Sequence, residues 1–217
     1  MRAFVLLATA GCSEIFGLDA PVLHDAPVAI DGRPDVPASE ITLVFQGGAG
    51  SSYMDVHDTF IDAANPASTH DNEPRLRWRD TRATLIWFDR IFTSTGIPTN
   101  VQIQSASLRV RVDVANEAGD VIESAVAWSD GVTYNTFGPA PGVDDTDLGD
   151  VVARVPNTQG MHDVDVTASL ARWAVEPATN HGWVIRANPL NGSETTITST
   201  DDGTIAERPR LTVTYVP

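Results

Sequence analysis

The side chains able to do chemistry are few and scattered. There are five histidines; besides His24, which precedes Asp25 near the N-terminus, His57, His70 and His162 each stand directly before an aspartate. Such a pair suggests a proton relay. In an extended strand, however, successive side chains leave opposite faces, so neighbours in sequence do not meet. These histidines therefore read as solvated or structural. Gly-x-Ser-x-Gly, His-Glu-x-x-His and phosphate-loop patterns are absent, and the expectation is a protein that is not an enzyme. The aspartates offer a second chemistry, hard oxygen ligands for a structural Ca2+. The candidates are Asp55 and Asp58, then Asp144, Asp145 and Asp147 in a long loop, then Asp201 and Asp202. Their spacing is not that of an EF-hand, and no other cofactor is implied.

Aromatic residues offer a third chemistry. A flat ring covers the apolar face of a pyranose while Asp, Asn, Arg or Gln bind its hydroxyls. If Ile86 and Phe88 point inward, Trp87 points outward. Arg109 and Arg111 point outward from another strand, and Trp78, between Arg77 and Arg79, is placed beside them. Trp78, Trp87, Arg109 and Arg111 are thus the expected glycan-binding surface. Trp128 and Trp173 read as structural, and Asp165 with Thr167 reads as a helix N-cap.

These groups need a scaffold, and the pattern predicts short strands separated by turns. The strands expected are Ile41 to Phe45, Val56 to Ile61, Arg82 to Asp89, Ser105 to Val114, Val121 to Trp128, Val151 to Val155, Met161 to Val166, Gly182 to Ala187, Thr195 to Ser199 and Pro209 to Val216. Leu108, Val110 and Val112 alternate with Arg109, Arg111 and Asp113; Leu211, Val213 and Tyr215 alternate with Thr212 and Thr214. Both are the period-2 mark of half-buried strands. Asn65 to Pro74 and Thr136 to Asp150 read as loops, and Thr167 to Val175 as the one helix, stopped by Pro177. The expected fold is all-β, a jelly-roll-like antiparallel sandwich with one short helix.

Charge narrows the partners. Twenty-nine acidic residues face 14 basic ones, for a net charge of −15. Nucleic acid and anionic surfaces are repelled by that balance, as are polyuronates unless cations bridge. No run approaches the ~20 apolar residues of a spanning helix. The single cysteine, Cys12, allows no internal disulfide. It follows a short apolar run and Thr9-Ala10-Gly11, which resembles a lipobox. Residues 1–11 are read as a signal peptide, Cys12 as the lipidated residue and 12–40 as a proline-rich linker. Residues 41–217 are read as the folded domain. The chain is then expected outside the cytoplasm, secreted or held to the cell envelope, with membrane contact only through Cys12.

Six segments in order carry a family resemblance. They are Phe45-Gln46 with Asp58-Thr59-Phe60-Ile61; Arg82 to Asp89; Ile97-Pro98 with Ser105 to Val110; Trp128 to Asn135; Asp163-Val164-Asp165-Val166-Thr167 with Leu170 and Trp173; and Asn180-His181-Gly182 with Arg208-Pro209-Arg210-Leu211-Thr212-Val213-Thr214-Tyr215. Together they resemble the DNRLRE domain family, a carbohydrate-binding-module-like family, over roughly residues 41–217. The sequence departs from it at Trp87, where the family has a basic residue, at Tyr134, where it has Trp, and at Arg90-Ile91-Phe92. The resemblance implies a non-catalytic module whose partner is a polysaccharide or glycan. The alternative is a structural or adhesive envelope protein without glycan specificity. A small hydrolase or lyase is disfavoured by the lack of converging acid, base and nucleophile.

Overall fold

The computed structural model describes residues 39–48, 53–93 and 96–217. The signal-peptide reading, the lipidation reading of Cys12 and nearly all of the linker reading lie outside those residues. The described body belongs to the compact unit Ala38–Pro217.

Strands β1 (Ile41–Phe45), β11 (Arg210–Val216), β5 (Gln102–Val114), β10 (Thr195–Thr198) and β3 (Arg75–Trp78) form one sheet in that order, with β8 (Gly160–Asp165) also paired to β5. The other sheet has the order β2 (Val56–Asp62), β4 (Arg82–Phe88), β9 (Trp183–Ala187), β6 (Gly119–Ser124) and β7 (Leu148–Val155). Every pairing is antiparallel. The chain changes sheet at most connections, giving the all-β sandwich that the alternation predicts.

The long strand β5 is the spine of the first sheet. Residues 102–109 pair with β11, from Val216↔Gln102 to Arg210↔Arg109, and Val112 and Val114 pair with β10. Its other edge takes β8, from Ser107↔Asp165 to Val112↔Gly160. Leu108, Val110 and Val112 are buried with Leu211, Val213 and Tyr215, because one phase of each strand faces the opposite sheet.

The main core lies between the sheets and includes Phe88, Trp173 and Trp183. Helix α1 (Thr167–Val175) covers one end of it with Leu170, Trp173 and Ala174. The Trp173 and Trp183 rings lie 4.9 Å apart, and the Trp183 Nε1 donates to Ser169 Oγ at 3.1 Å. Asp165 lies one position before the N-cap, which is Val166. Its Oδ1 accepts from the Thr167 amide at 2.9 Å, so it still satisfies a donor of the first turn.

A second core lies on the outer face of the second sheet. Ile61, Ala83, Leu85 and Val184 are covered there by Trp128, Val132 and Phe137 from the segment after β6. A sheet apolar on both faces must be covered on both. This explains why β6 ends at Ser124 and not at the expected Trp128: the apolar residues beyond it roof the sheet instead of extending it. The roof is fastened by Trp128 Nε1 donating to the His181 carbonyl at 2.8 Å and by the Ala125 amide donating to the Asp147 carbonyl at 2.8 Å.

Candidate functional site

The four residues expected to form a glycan surface are not brought together. Trp78 is fully buried. It ends β3, a strand the sequence reading omits, in which Leu76 and Trp78 face the core and Arg75 and Arg77 face out. Its Nε1 donates to the Glu117 carbonyl at 3.2 Å. Trp87 does leave the outer face of the second sheet, as its phase predicts, but the roof half-buries it. Its ring lies 5.4 Å from His57 and 5.9 Å from Trp128, and its Nε1 finds no acceptor among the described residues. Arg109 and Arg111 are on the outer face of the other sheet. Arg109 makes a two-pronged contact to Asp163 at 2.7 and 2.6 Å. Arg111 faces Asp113 at 3.2 Å and Glu207 at 3.3 Å. Arg109 is committed to a carboxylate through two donors, and Arg111 faces carboxylates through its Nε.

The candidate metal ligands are also apart. Asp55 pairs with Arg90. Asp58 is buried at the β2 edge and accepts the Thr200 amide at 2.7 Å. Asp144 closes a turn onto the Thr146 amide at 2.7 Å, and Asp145 is fully exposed, 3.8 Å from Arg186. Among the described residues no three His, Cys, Asp or Glu side chains are grouped so as to hold a metal ion. The histidines that precede aspartates bond elsewhere: His57 to Asp130 at 2.7 Å, His70 to Glu73 at 2.8 Å and His162 to the Thr158 carbonyl at 2.7 Å.

A better-formed site lies at one end of the sandwich. The antiparallel registers place the β3–β4, β5–β6, β7–β8 and β9–β10 connections and the start of the β2–β3 connection together there. A cleft of about 150 Å³ opens among them. Its polar wall is Arg79, Asp80 and Arg186; its apolar wall is Tyr134, Val143 and Leu190. Arg79 and Asp80 occupy the tight β3–β4 turn, which is closed by reciprocal hydrogen bonds between the Arg79 and Arg82 backbones at 3.1 and 3.3 Å. Arg186 projects from β9 on the outer face, beside the second core.

Charges at the base of the cleft are fixed. Arg82 bonds Asp62 at 2.8 Å and also Glu194. Burial pushes the Asp62 carboxyl up, but hydrogen bonds from Arg82, Asn65 and the Ala64 amide outweigh it and bring it down to about 2. Arg79 and Arg186 are held more loosely. Arg79 donates Nε to Thr81 Oγ1 at 2.9 Å and lies 3.4 Å from Asp80. Each guanidinium carries five N–H donors, so most of theirs remain available.

Tyr134 owes its position to a glycine. Gly142 has φ +91° and its amide donates to the Tyr134 carbonyl at 2.6 Å. A Cβ there would fall 2.7 Å from the phenol Cζ and Oη. The bare backbone of Gly142 therefore packs against the ring. No residue of this cleft was singled out as a ligand contact in the sequence. Two signals were present: an Arg-Asp pair between two apolar alternations, and an aromatic shortly before a Gly- and Pro-rich loop.

No protein-family model matches the chain, and no curated protein matches it in sequence.

Proposed function

We propose that this chain is a carbohydrate-binding β-sandwich whose site is the cleft at its loop end. The observation that carries the reading is the Tyr134 ring held beside Arg79, Asp80 and Arg186 in a recess of sugar size. An aromatic ring supplies dispersion contact to a pyranose, and Arg and Asp supply the paired donors and acceptors that replace water at its hydroxyls. The resemblance to the DNRLRE family supports the same conclusion. The reading is one of binding and not cleavage, because Asp80 is the one carboxylate among the described residues lining the cleft, whereas most glycosidic hydrolysis uses two. Lipidation at Cys12, with residues 12–40 as a spacer, would display the module at the cell envelope.

Affinity electrophoresis through gels containing single polysaccharides, guided by a glycan array, tests this reading. Tyr134→Ala and Arg186→Gln should each weaken retention by on the order of tenfold. Arg186 is partly exposed, so its variant separates loss of binding from loss of fold. Retention unchanged in both folded variants refutes the site.

A further inference from the structure

A second depression shares this end of the sandwich. It is a groove of about 370 Å³ lined by Asn116, Glu117, Arg154, Asn157, Pro189 and Asn191. Arg154 stands near the end of β7, and the others come from the β5–β6, β7–β8 and β9–β10 connections. The two depressions meet on one short segment. Leu190 lines the cleft, while its neighbours Pro189 and Asn191 line the groove. Leu190 stands 59% exposed between them.

Resting on the glycan reading above, we propose that cleft and groove form one track for a linear polysaccharide bound along its chain, with Leu190 as the apolar ridge between subsites. The chemistry of the groove fits hydroxyl groups. A primary amide presents a donor and an acceptor side by side, and three such side chains are available. Asn157 is exposed and makes no side-chain hydrogen bond among the described residues. Asn116 uses only its Nδ2, on the Glu194 carbonyl at 2.7 Å. Asn191 uses only its Oδ1, on the Ser193 amide at 3.0 Å.

The ridge is fixed before any ligand arrives. Glu117 is 1% exposed, and its Oε1 accepts the amides of Asn191 at 3.0 Å and Ser193 at 2.8 Å. Beneath it, the Trp78 indole and the Thr195 hydroxyl both donate to the Glu117 carbonyl, at 3.2 and 2.8 Å. Glu117 is thus a positioning residue, and a segment already held in place costs less ordering on binding. Its Oε2 is buried and has no donor among the described residues.

The test is calorimetric titration of the full chain with two- and six-unit oligosaccharides of a neutral series, cello-oligosaccharides, and of an acidic series, oligogalacturonates. In whichever series binds, the six-unit ligand should bind at least roughly tenfold tighter than the two-unit ligand. Asn157→Ala should weaken the six-unit ligand roughly three- to tenfold and leave the two-unit ligand unchanged, whereas Tyr134→Ala should weaken both. Equal affinity at both lengths, or an Asn157→Ala protein that binds the six-unit ligand normally, overturns the track. If Tyr134→Ala still weakens binding in that case, the glycan reading survives. Failure of both series to bind at either length counts against the track and the glycan reading together.

Discussion

Asp58→Asn should raise stability at neutral pH relative to acid pH, by an amount set by the burial of one carboxyl. Asp58 is 4% exposed at the edge of β2. Its Oδ2 accepts the Thr200 amide at 2.7 Å, while its Oδ1 has no partner among the described residues. Burial, reinforced by the nearby charges of Asp201 and Asp130 and opposed by the Thr200 hydrogen bonds, pushes its pKa from 3.8 up to about 7. Between those values the folded chain binds a proton that the unfolded chain has released, so stability falls as pH rises from about 4 to about 7. The shift spans about three pH units at ~1.4 kcal/mol each. The ionised form is therefore disfavoured by on the order of 4 kcal/mol above pH 7. Asparagine keeps an acceptor for Thr200 and cannot ionise, but its amide meets the same lack of a partner at a cost of about 1–3 kcal/mol. That cost does not vary with pH. Nor do carboxylates such as Asp62 distort the comparison, because they are shared by both proteins. The quantity to measure is the melting temperature of Asp58→Asn minus that of the parent, at intervals from pH 4 to pH 8. It should rise by roughly 8–16 °C across that range, at about 2–4 °C per kcal/mol. A difference independent of pH refutes the reasoning.

Two further outcomes follow from the packing. Gly142→Ala should lower stability by roughly 1–2 kcal/mol, since φ is +91° there, and should also displace the Tyr134 ring; loss of glycan retention together with a changed tyrosine near-ultraviolet signal checks both. Trp87→Ala should lower stability by about 2–3 kcal/mol, because the ring packs against His57 and Trp128 beneath the roof; a chemical-denaturation curve superimposable on the parent's contradicts that placement.

Strands announce themselves where one phase is apolar for long enough. In β5 and β11 the alternation runs for several residues, and the sequence reading places Arg109 and Arg111 outside and Leu211 inside. In β3 it lasts only four residues; the arginines around Trp78 look like a polar surface although they merely occupy the opposite phase. Trp87 shows a different limit. Local periodicity predicts that it leaves the second sheet outward, but whether that face is wet depends on the segment after β6, more than 35 positions away in sequence. The cleft is harder still to foresee, since Arg79, Tyr134 and Arg186 converge only through the registers of several strand pairs. The partner of His57 has the same origin: it is Asp130, 73 positions away in the segment after β6, and not the Asp58 beside it.

The pairing of Ile41 with Tyr215 has a geometric corollary. Strand β11 runs toward the start of β5, so Ile41, where the chain enters the sandwich, lies at the pole opposite Arg79, Leu190 and Asn157. Any attachment made through the residues before Ile41 would therefore join the sandwich at the end away from the proposed site.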